Sequence, residues 1–556
     1  MHIKTVKIQN FKCFRKFELN LNDDINIIVG NNEAGKSTLL EAIHLALTGV
    51  LDGKYLKNEI NPYIFNSDAI EEYYNDIKKG LPEITIELYF DSLNKKYIQY
   101  NECRGTHNSI RVDESGIQLR ILFNDEYKSE YEDFINSIKD YKDMYVLPIE
   151  FYKIEVISFS GNNITYKKIP IKSILIDSSN NKLKNGSDMY LSYIINKSLT
   201  DKEQIQIFNA HREMKTSFAE NENIKKINDR IFKDNDYISS NKQLKLSVDF
   251  FNNNWESMLM PYMGNIPFQY IGKGEQCYIK TNLALLHNKS QEASLILLEE
   301  PENHLSHSKL NSLLKNIKDN VSNNKQIIIT THSSFVANKM MLNNIIIINN
   351  NSNTNFQKLS EQTFNFFEKA SGYDTLRLVL SKKTVLVEGD SDELIFQRAY
   401  KDIYKKLPIE NEIDVISVGT AFVRYLELAK ELKNKVIVIM DNDGNTAKLK
   451  NKYEQYNKYD NIKIYYEDQN NFEDFEIDIN NNEKKINIDT LEPNLLKANN
   501  YDIELFNKIF GKKCTSIGKL LNYMLNNKVE CALKIFEYSD KIKYPKYILE
   551  ALNECK

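Results

Sequence analysis

"INIIVGNNEAGKSTLLEAIHLAL", residues 25–47, runs from an apolar stretch through a glycine-bounded loop into Leu, Ile and Ala at helical spacing. That order reads strand, tight loop, helix. The loop, Gly30 to Ser37, fits the G-x-x-x-x-G-K-[ST] pattern in full, in the context the pattern requires. Gly30 and Gly35 let the backbone curl so that its N–H groups point at phosphate oxygens. The helix N-terminus behind them adds a positive dipole. Lys36 is expected to reach the β- and γ-phosphates of a nucleotide, and the Ser37 hydroxyl to ligate Mg²⁺. Gly30, Asn31, Asn32, Glu33, Ala34, Gly35, Lys36, Ser37 and Thr38 are therefore the candidate ATP-binding residues.

A P-loop needs an acidic strand beside it, and "LILLEEPENHLSH" (295–307) supplies one. Glu299 is expected to hold the nucleotide's metal through water, and Glu300 to orient the attacking water. The next apolar strand, "KQIIITTHSS" (325–334), ends in His332, a candidate γ-phosphate contact. A P-loop opening the chain, about 260 residues of separation, then LLEEPE and a THS strand resembles the ABC-type ATPases of the SMC kind. In that family ATP is sandwiched between two heads, and a signature loop of the second head completes the site. "IGKGEQCYI" (271–279) occupies the corresponding place. Gly272, Gly274 and Glu275 match it loosely, and the family's usual Ser is absent.

The chain has 556 residues, too many for one core, so at least two domains are expected. A hydrophobic content of 42%, with 27% charged residues, places it among soluble globular proteins. The net charge of −4 restricts any nucleic-acid surface to a local patch. The six cysteines form no CxxC pair, which argues against a zinc ribbon or a disulfide framework and fits a reducing cytosol. "MHIKTVKIQNFKCF" lacks the apolar core of a signal peptide, and no apolar run has bilayer length, so a cytoplasmic protein without a membrane association is expected. Residues 81–175 are β-rich, and 196–260 are polar with the charge spacing of long exposed helices.

A second site is written in "KTVLVEGDSDELIFQRAY" (383–400) and "KVIVIMDNDGN" (435–445). Each is an apolar run ending in acids: Glu388, with Asp392 in the first helical turn after it, and Asp441 with Asp443. The βα alternation across 384–441 implies a parallel sheet with its active loops at the strand C-termini. Carboxylates packed this closely repel one another without a cation, and hard Mg²⁺ or Mn²⁺ ions take carboxylate oxygens while keeping waters for a phosphate ligand.

Together, "EGDSDE" and "DNDG" resemble a Toprim domain, the metal-binding fold of topoisomerases, primases and certain nucleases. An SMC-like head followed by a Toprim domain resembles the OLD (overcoming lysogenization defect) family, including the nuclease subunit of Gabija-type anti-phage systems. "YDTLRLVLSKKTVLVEGDSDE" (373–393) is similar to that family's junction. The resemblance makes "DTLEPNLL" (489–496) its TLE motif, with Glu492 a further metal ligand, and "NKVECALKIFE" (527–537) its lysine motif, with Lys528 at the scissile phosphate. The acidic "YYEDQNNFEDFE" (465–476) is a competing source of a ligand.

The expected architecture is α/β: an ABC/SMC-type P-loop head over 1–355 with a helical dimerisation insert near 196–260, a connecting helix over 356–382, and a Toprim nuclease domain over 383–556. The resemblance implies a DNA endonuclease or nickase using one or two Mg²⁺ or Mn²⁺ ions at Glu388, Asp392, Asp441, Asp443 and Glu492. Glu300, Lys528, Glu388 and Asp441 carry the chemistry. Nucleotide at the head regulates it, and the setting is phage defence. It implies DNA as substrate, a homodimer or higher homo-oligomer, and a helicase or other defence-system protein as a further partner. The alternative is an ATP-dependent DNA-binding or clamp protein whose Toprim module docks or senses without cutting. A transport ATPase is excluded by the second acidic site and the missing membrane-partner signals.

Overall fold

A computed structural model of the chain describes residues 1–177 except 32, 92–94, 96 and 138–145, and then 183–184, 187–188, 199–232, 247, 261–286, 294–320, 325–340, 342–349, 352–355, 359–369, 374–432, 434–442, 446–467, 475–479, 482–486 and 490–555. Two compact units form: Met1–Asn26 with Gly35–Thr331, and Ile27–Ala34 with His332–Lys556.

The first unit holds an antiparallel sheet in the order Phe14–Asn20, His2–Phe11, Ile84–Asp91, Glu114–Phe123, Arg104–Gly105, with Tyr152–Ser158 also paired to Glu114–Phe123. It also holds three parallel strands, Ser173–Asp177, Leu295–Glu299 and Gln326–Thr331. Leu295 to Leu298 and Ile327 to Ile329 are buried without alternation, as in a parallel strand covered on both faces. The helix Lys36–Thr48 touches both the antiparallel sheet and the parallel strands. Leu39, Leu40, Ile43, Ala46 and Leu47 are all buried, which is why this helix is apolar nearly all round.

Of the expected insert at 196–260, the described residues form the helices Asp201–Glu220 and Glu222–Phe232. Thr200 and Glu203 make a reciprocal capping box that starts the first. Residues 196–198 and most of 233–260 lie outside the described residues.

In the second unit, Ile27, Ile28 and Val29 pair in parallel with Ile345–Asn349, which pairs antiparallel with Ser352–Asn355. Where the sequence reading has one connecting helix over 356–382, the described residues form two, Glu361–Lys369 and Asp374–Leu380. Both are tied to the sheet region that follows. Glu427 accepts from the Ser360 and Thr363 hydroxyls, Phe367 meets Tyr425 edge-on, and Arg377 pairs with Asp414.

That sheet is four-stranded and wholly parallel, in the order Ile413–Ser417, Lys383–Val387, Lys435–Ile439, Ile462–Tyr465. From the central strand Lys383–Val387 the chain crosses to one side, and then returns to add Lys435–Ile439 on the other. The point where the order reverses therefore lies between two neighbouring strands, where doubly wound sheets open a crevice at their carboxyl ends. Helices Leu491–Ala498, Ile503–Phe510, Ile517–Asn526, Lys528–Glu537 and Lys546–Glu554 complete the unit. Their apolar faces share one core with Val387, Ile395 and Ile439.

Candidate functional site

The glycines of the P-loop are required by their surroundings. A Cβ on Gly30 would sit 2.5 Å from the Ile348 carbonyl oxygen. Gly35 has φ +94°, in the left-handed region, and a Cβ there would meet the Phe14 ring at 2.6 Å. Asn31 and Ala34 close a turn through a 3.2 Å backbone hydrogen bond, and Glu33 is exposed with φ 66°. Asn32 lies outside the described residues.

Lys36 is 6% exposed. Burial pulls its pKa down, while Glu300, Glu299 and Glu302 pull it up. The buried ammonium is thus held beside three carboxylates of the acidic strand and the turn after it. Ser37 is exposed and its hydroxyl donates to Glu299, while burial raises the Glu299 pKa. Thr38 follows in the first helical turn, partly buried. Glu300 has φ 43°, and its side chain accepts from Asn303 at 2.8 Å. His332 follows the strand Gln326–Thr331 and is half-buried. In the loosely matched signature segment, Gly274 packs so closely on the loop after the acidic strand that a Cβ would lie 2.1 Å from the His304 carbonyl oxygen.

Two acids escaped the sequence reading here. Glu302 accepts from the Thr331 hydroxyl at 2.6 Å and acts on Lys36. It lies inside the quoted LEEPENH stretch, so its signal was present. Asp177 pairs in register with Glu299 and raises its pKa. Only strand pairing reveals it, because 122 positions of sequence separate the two.

The second site assembles from five elements, two strand ends and three helix starts. Glu388 follows the strand Lys383–Val387, and Asp441 follows Lys435–Ile439, its direct neighbour. Asp392 is the third residue of the helix Asp390–Tyr404, and its carboxylate accepts from the Gly389 N–H at 3.1 Å. Glu492 opens the helix Leu491–Ala498 and is 4% exposed. Lys528 opens the helix Lys528–Glu537, and its ammonium lies 3.5 Å from Glu492 Oε2.

Arg398 explains how the Lys528 helix is brought in. Its guanidinium, 5% exposed, donates to the carbonyls of Ile535, Phe536 and Tyr538, satisfying orphan acceptors at the end of that helix. The helices bearing Asp392 and Lys528 therefore run side by side, with both N-terminal ends toward the strand tips.

The electrostatics record the convergence. Burial, then Glu492 and Glu388, push the Asp392 carboxyl up to about 7. Burial, then Asp392, Glu388 and Glu492, raise Asp441 well above the usual carboxylate range, and Lys528 opposes them. Among the described residues, no group of three or more His, Cys, Asp or Glu side chains is arranged to hold one metal ion. Asp443 lies outside the described residues, as do 468–474 of the competing acidic stretch. The donor set still fits a hard divalent cation: all-oxygen ligands, raised carboxyl pKa values that a cation would lower, and a lysine beside them.

Comparison with known proteins finds two kinds of domain along the chain. A family model described as an AAA domain matches residues 5–292, just over half of the chain, and a second AAA-domain model matches 264–338. A model described as "Overcoming lysogenization defect protein-like, TOPRIM domain" matches 379–443. An ATP/GTP phosphatase of Helicobacter pylori is 25% identical over 339 residues, covering 58% of this chain and 82% of that protein. Endonuclease GajA of Bacillus cereus is 24% identical over 170 residues, covering 25% of this chain and 24% of that protein. A solved Smc head bound to the C-winged helix domain of ScpA is similar at 14% identity and a TM-score of 0.34, covering 65% of this chain and 99% of that one. No helix among the described residues is long and apolar enough to cross a membrane. The chain therefore belongs to the AAA-domain family, and its residues 379–443 carry a Toprim domain of the overcoming-lysogenization-defect-like type.

Proposed function

We propose that this protein is a divalent-metal-dependent DNA endonuclease or nickase, regulated by ATP at its head and acting in anti-phage defence. One observation carries the reading. Glu388, Asp392, Asp441 and Glu492 crowd beside Lys528 at the carboxyl ends of the two central parallel strands. Four acids gathered around one lysine are costly for a fold and useful for phosphodiester chemistry.

Glu388, Asp441, Asp392 and Glu492, with Asp443, would hold one or two Mg²⁺ or Mn²⁺ ions. Such an ion, when bound, lowers the pKa of water and offsets charge on the phosphate. The chain's own residues do the rest. Asp392, fixed by the Gly389 N–H, keeps its carboxylate turned toward the strand ends. Glu492 holds Lys528 at the rim, and once Glu492 is engaged as a ligand the Lys528 ammonium is free to meet a phosphoryl oxygen.

At the head, Gly30–Thr38, Glu299 and His332 would bind ATP with Mg²⁺ on Ser37, and Glu300 would orient water. The working division is an ATPase domain over 1–355 and a nuclease domain over 383–556, joined through 356–382. The insert at 196–260 is the proposed dimerisation element of a homodimer or larger homo-oligomer in the cytoplasm, with a helicase or other defence protein as further partner. The name of the Bacillus cereus relative, an endonuclease, supports the cutting activity, and that of the Helicobacter pylori relative, an ATP/GTP phosphatase, supports the ATPase. A clamp or sensor that does not cut is the second reading, favoured by the lack of a metal-ready group of three among the described residues.

The test is a supercoiled-plasmid assay with Mg²⁺ or Mn²⁺, titrated with ATP and a non-hydrolysable analogue. Divalent-dependent nicking or linearisation that changes with nucleotide supports the reading. Binding without cutting under every condition supports the clamp.

A further inference from the structure

Tyr547 stands on the C-terminal helix Lys546–Glu554, far in sequence from every motif of the second site. It is 3% exposed, and its hydroxyl is buried without a hydrogen-bond partner among the described residues. Leaving a phenol hydroxyl in that state is costly, so the large majority of buried side-chain polar atoms find a partner. A phenylalanine would avoid the cost, and the position therefore needs a reason for its oxygen.

The surroundings supply one. The ring belongs to the same core cluster as Val387, Ile439 and Leu491. Val387 and Leu491 immediately precede Glu388 and Glu492, and Ile439 lies two residues before Asp441. The helix Lys546–Glu554 packs on the strands Lys435–Ile439 and Ile462–Tyr465 and on the Asp392 helix. Tyr547 and the elements that bear the carboxylates thus share one core. Their influence on it is direct: after burial itself, Asp441, Asp392, Glu467 and Glu492 are what disfavour the phenolate. The group consequently stays a neutral O–H, which is a donor beside acceptors.

We infer that Tyr547 is a positioning residue of the cation site, its hydroxyl donating a hydrogen bond to the carboxylate cluster headed by Asp441 when a divalent cation draws those carboxylates together. The inference rests on the metal-dependent reading of the second site. Ligands of hard cations are commonly oriented by a hydrogen bond from behind, and loss of that bond weakens metal binding about 10–100-fold. In this account binding of the ion brings an acceptor to the Tyr547 hydroxyl.

The experiment compares full-length wild type with Tyr547→Phe, which removes one oxygen and keeps the ring. Mn²⁺ affinity is measured by titration calorimetry and by electron paramagnetic resonance of free Mn²⁺, and apo stability by thermal melting. The expected result is at least a tenfold weaker Mn²⁺ affinity, with an apo melting temperature equal to or above that of wild type. Mn²⁺ affinity within twofold of wild type overturns the inference while leaving the metal site standing. Wild type that binds no Mn²⁺ at all overturns the underlying reading as well. A parallel Tyr544→Phe variant, at a neighbouring tyrosine whose hydroxyl already donates to Asp402, should leave Mn²⁺ affinity unchanged. An equal loss there would mean that repacking, not the Tyr547 oxygen, is responsible.

Discussion

Replacing Asp392 by Asn should make the metal-free protein more stable at neutral and alkaline pH, although it removes a conspicuous site residue. In the folded state burial, Glu492 and Glu388 hold the Asp392 carboxyl protonated up to about 7, against an ordinary value of 3.8. Between those values the folded state binds the proton and the unfolded state does not, so stability falls as pH rises through this window. At 1.36 kcal/mol per pKa unit, the loss between pH 4 and pH 8 is about 4 kcal/mol. Asn cannot ionise, and its carbonyl oxygen can still accept from the Gly389 N–H, so the variant escapes the penalty and keeps the helix start. The assay is thermal melting in EDTA at pH 4 and pH 8. Wild type and variant should melt within a few degrees of each other at pH 4. At pH 8 the variant should melt higher by on the order of 10 °C. Saturating Mn²⁺ should raise wild type at pH 8 by more than it raises the variant, which lacks one proposed ligand and the repulsion that ligand brings. A variant that melts at or below wild type at pH 8 would refute the reasoning, since the carboxyl would then contribute more by its contacts than it costs by its charge.

Lys528→Ala should slow DNA cleavage by about two orders of magnitude with DNA affinity little changed, measured by single-turnover cutting and a binding titration; parallel loss of both would make Lys528 a simple phosphate contact. Lys36→Ala should abolish ATP binding and every effect of ATP on cutting, whereas Glu300→Gln should bind ATP but retain it, freezing whichever nuclease state ATP favours; radiolabelled nucleotide retention separates the two. Gly30→Ala should cost about 1–3 kcal/mol and weaken ATP binding, because its Cβ would lie 2.5 Å from the Ile348 carbonyl oxygen; a melting curve that superposes on wild type would contradict this.

Most of the fold class was legible because its signals are local. A glycine loop between an apolar strand and an apolar helix, and two apolar runs ending in acids, each fit within 25 residues. The parallel order of the Toprim strands followed from βα alternation, but the reversal between Lys383–Val387 and Lys435–Ile439 is a matter of pairing, which no single stretch encodes. For the same reason Asp177 and Tyr547 gave no sequence signal. One reaches Glu299 through strand register, and the other reaches the acids through a helix that reads only as amphipathic. Arg398 was hidden differently: a lysine or arginine on a helix usually faces water, yet this one is buried because it caps another helix.

The central claim is that the strand-end carboxylates serve phosphodiester cleavage, and plasmid cutting by Glu388→Ala and Asp441→Ala tests it most directly. Both variants should melt at or above the wild-type temperature in EDTA and bind ATP as wild type does. Neither should nick or linearise DNA in Mg²⁺ or Mn²⁺. Undiminished cutting by both folded variants in Mn²⁺ would contradict the account.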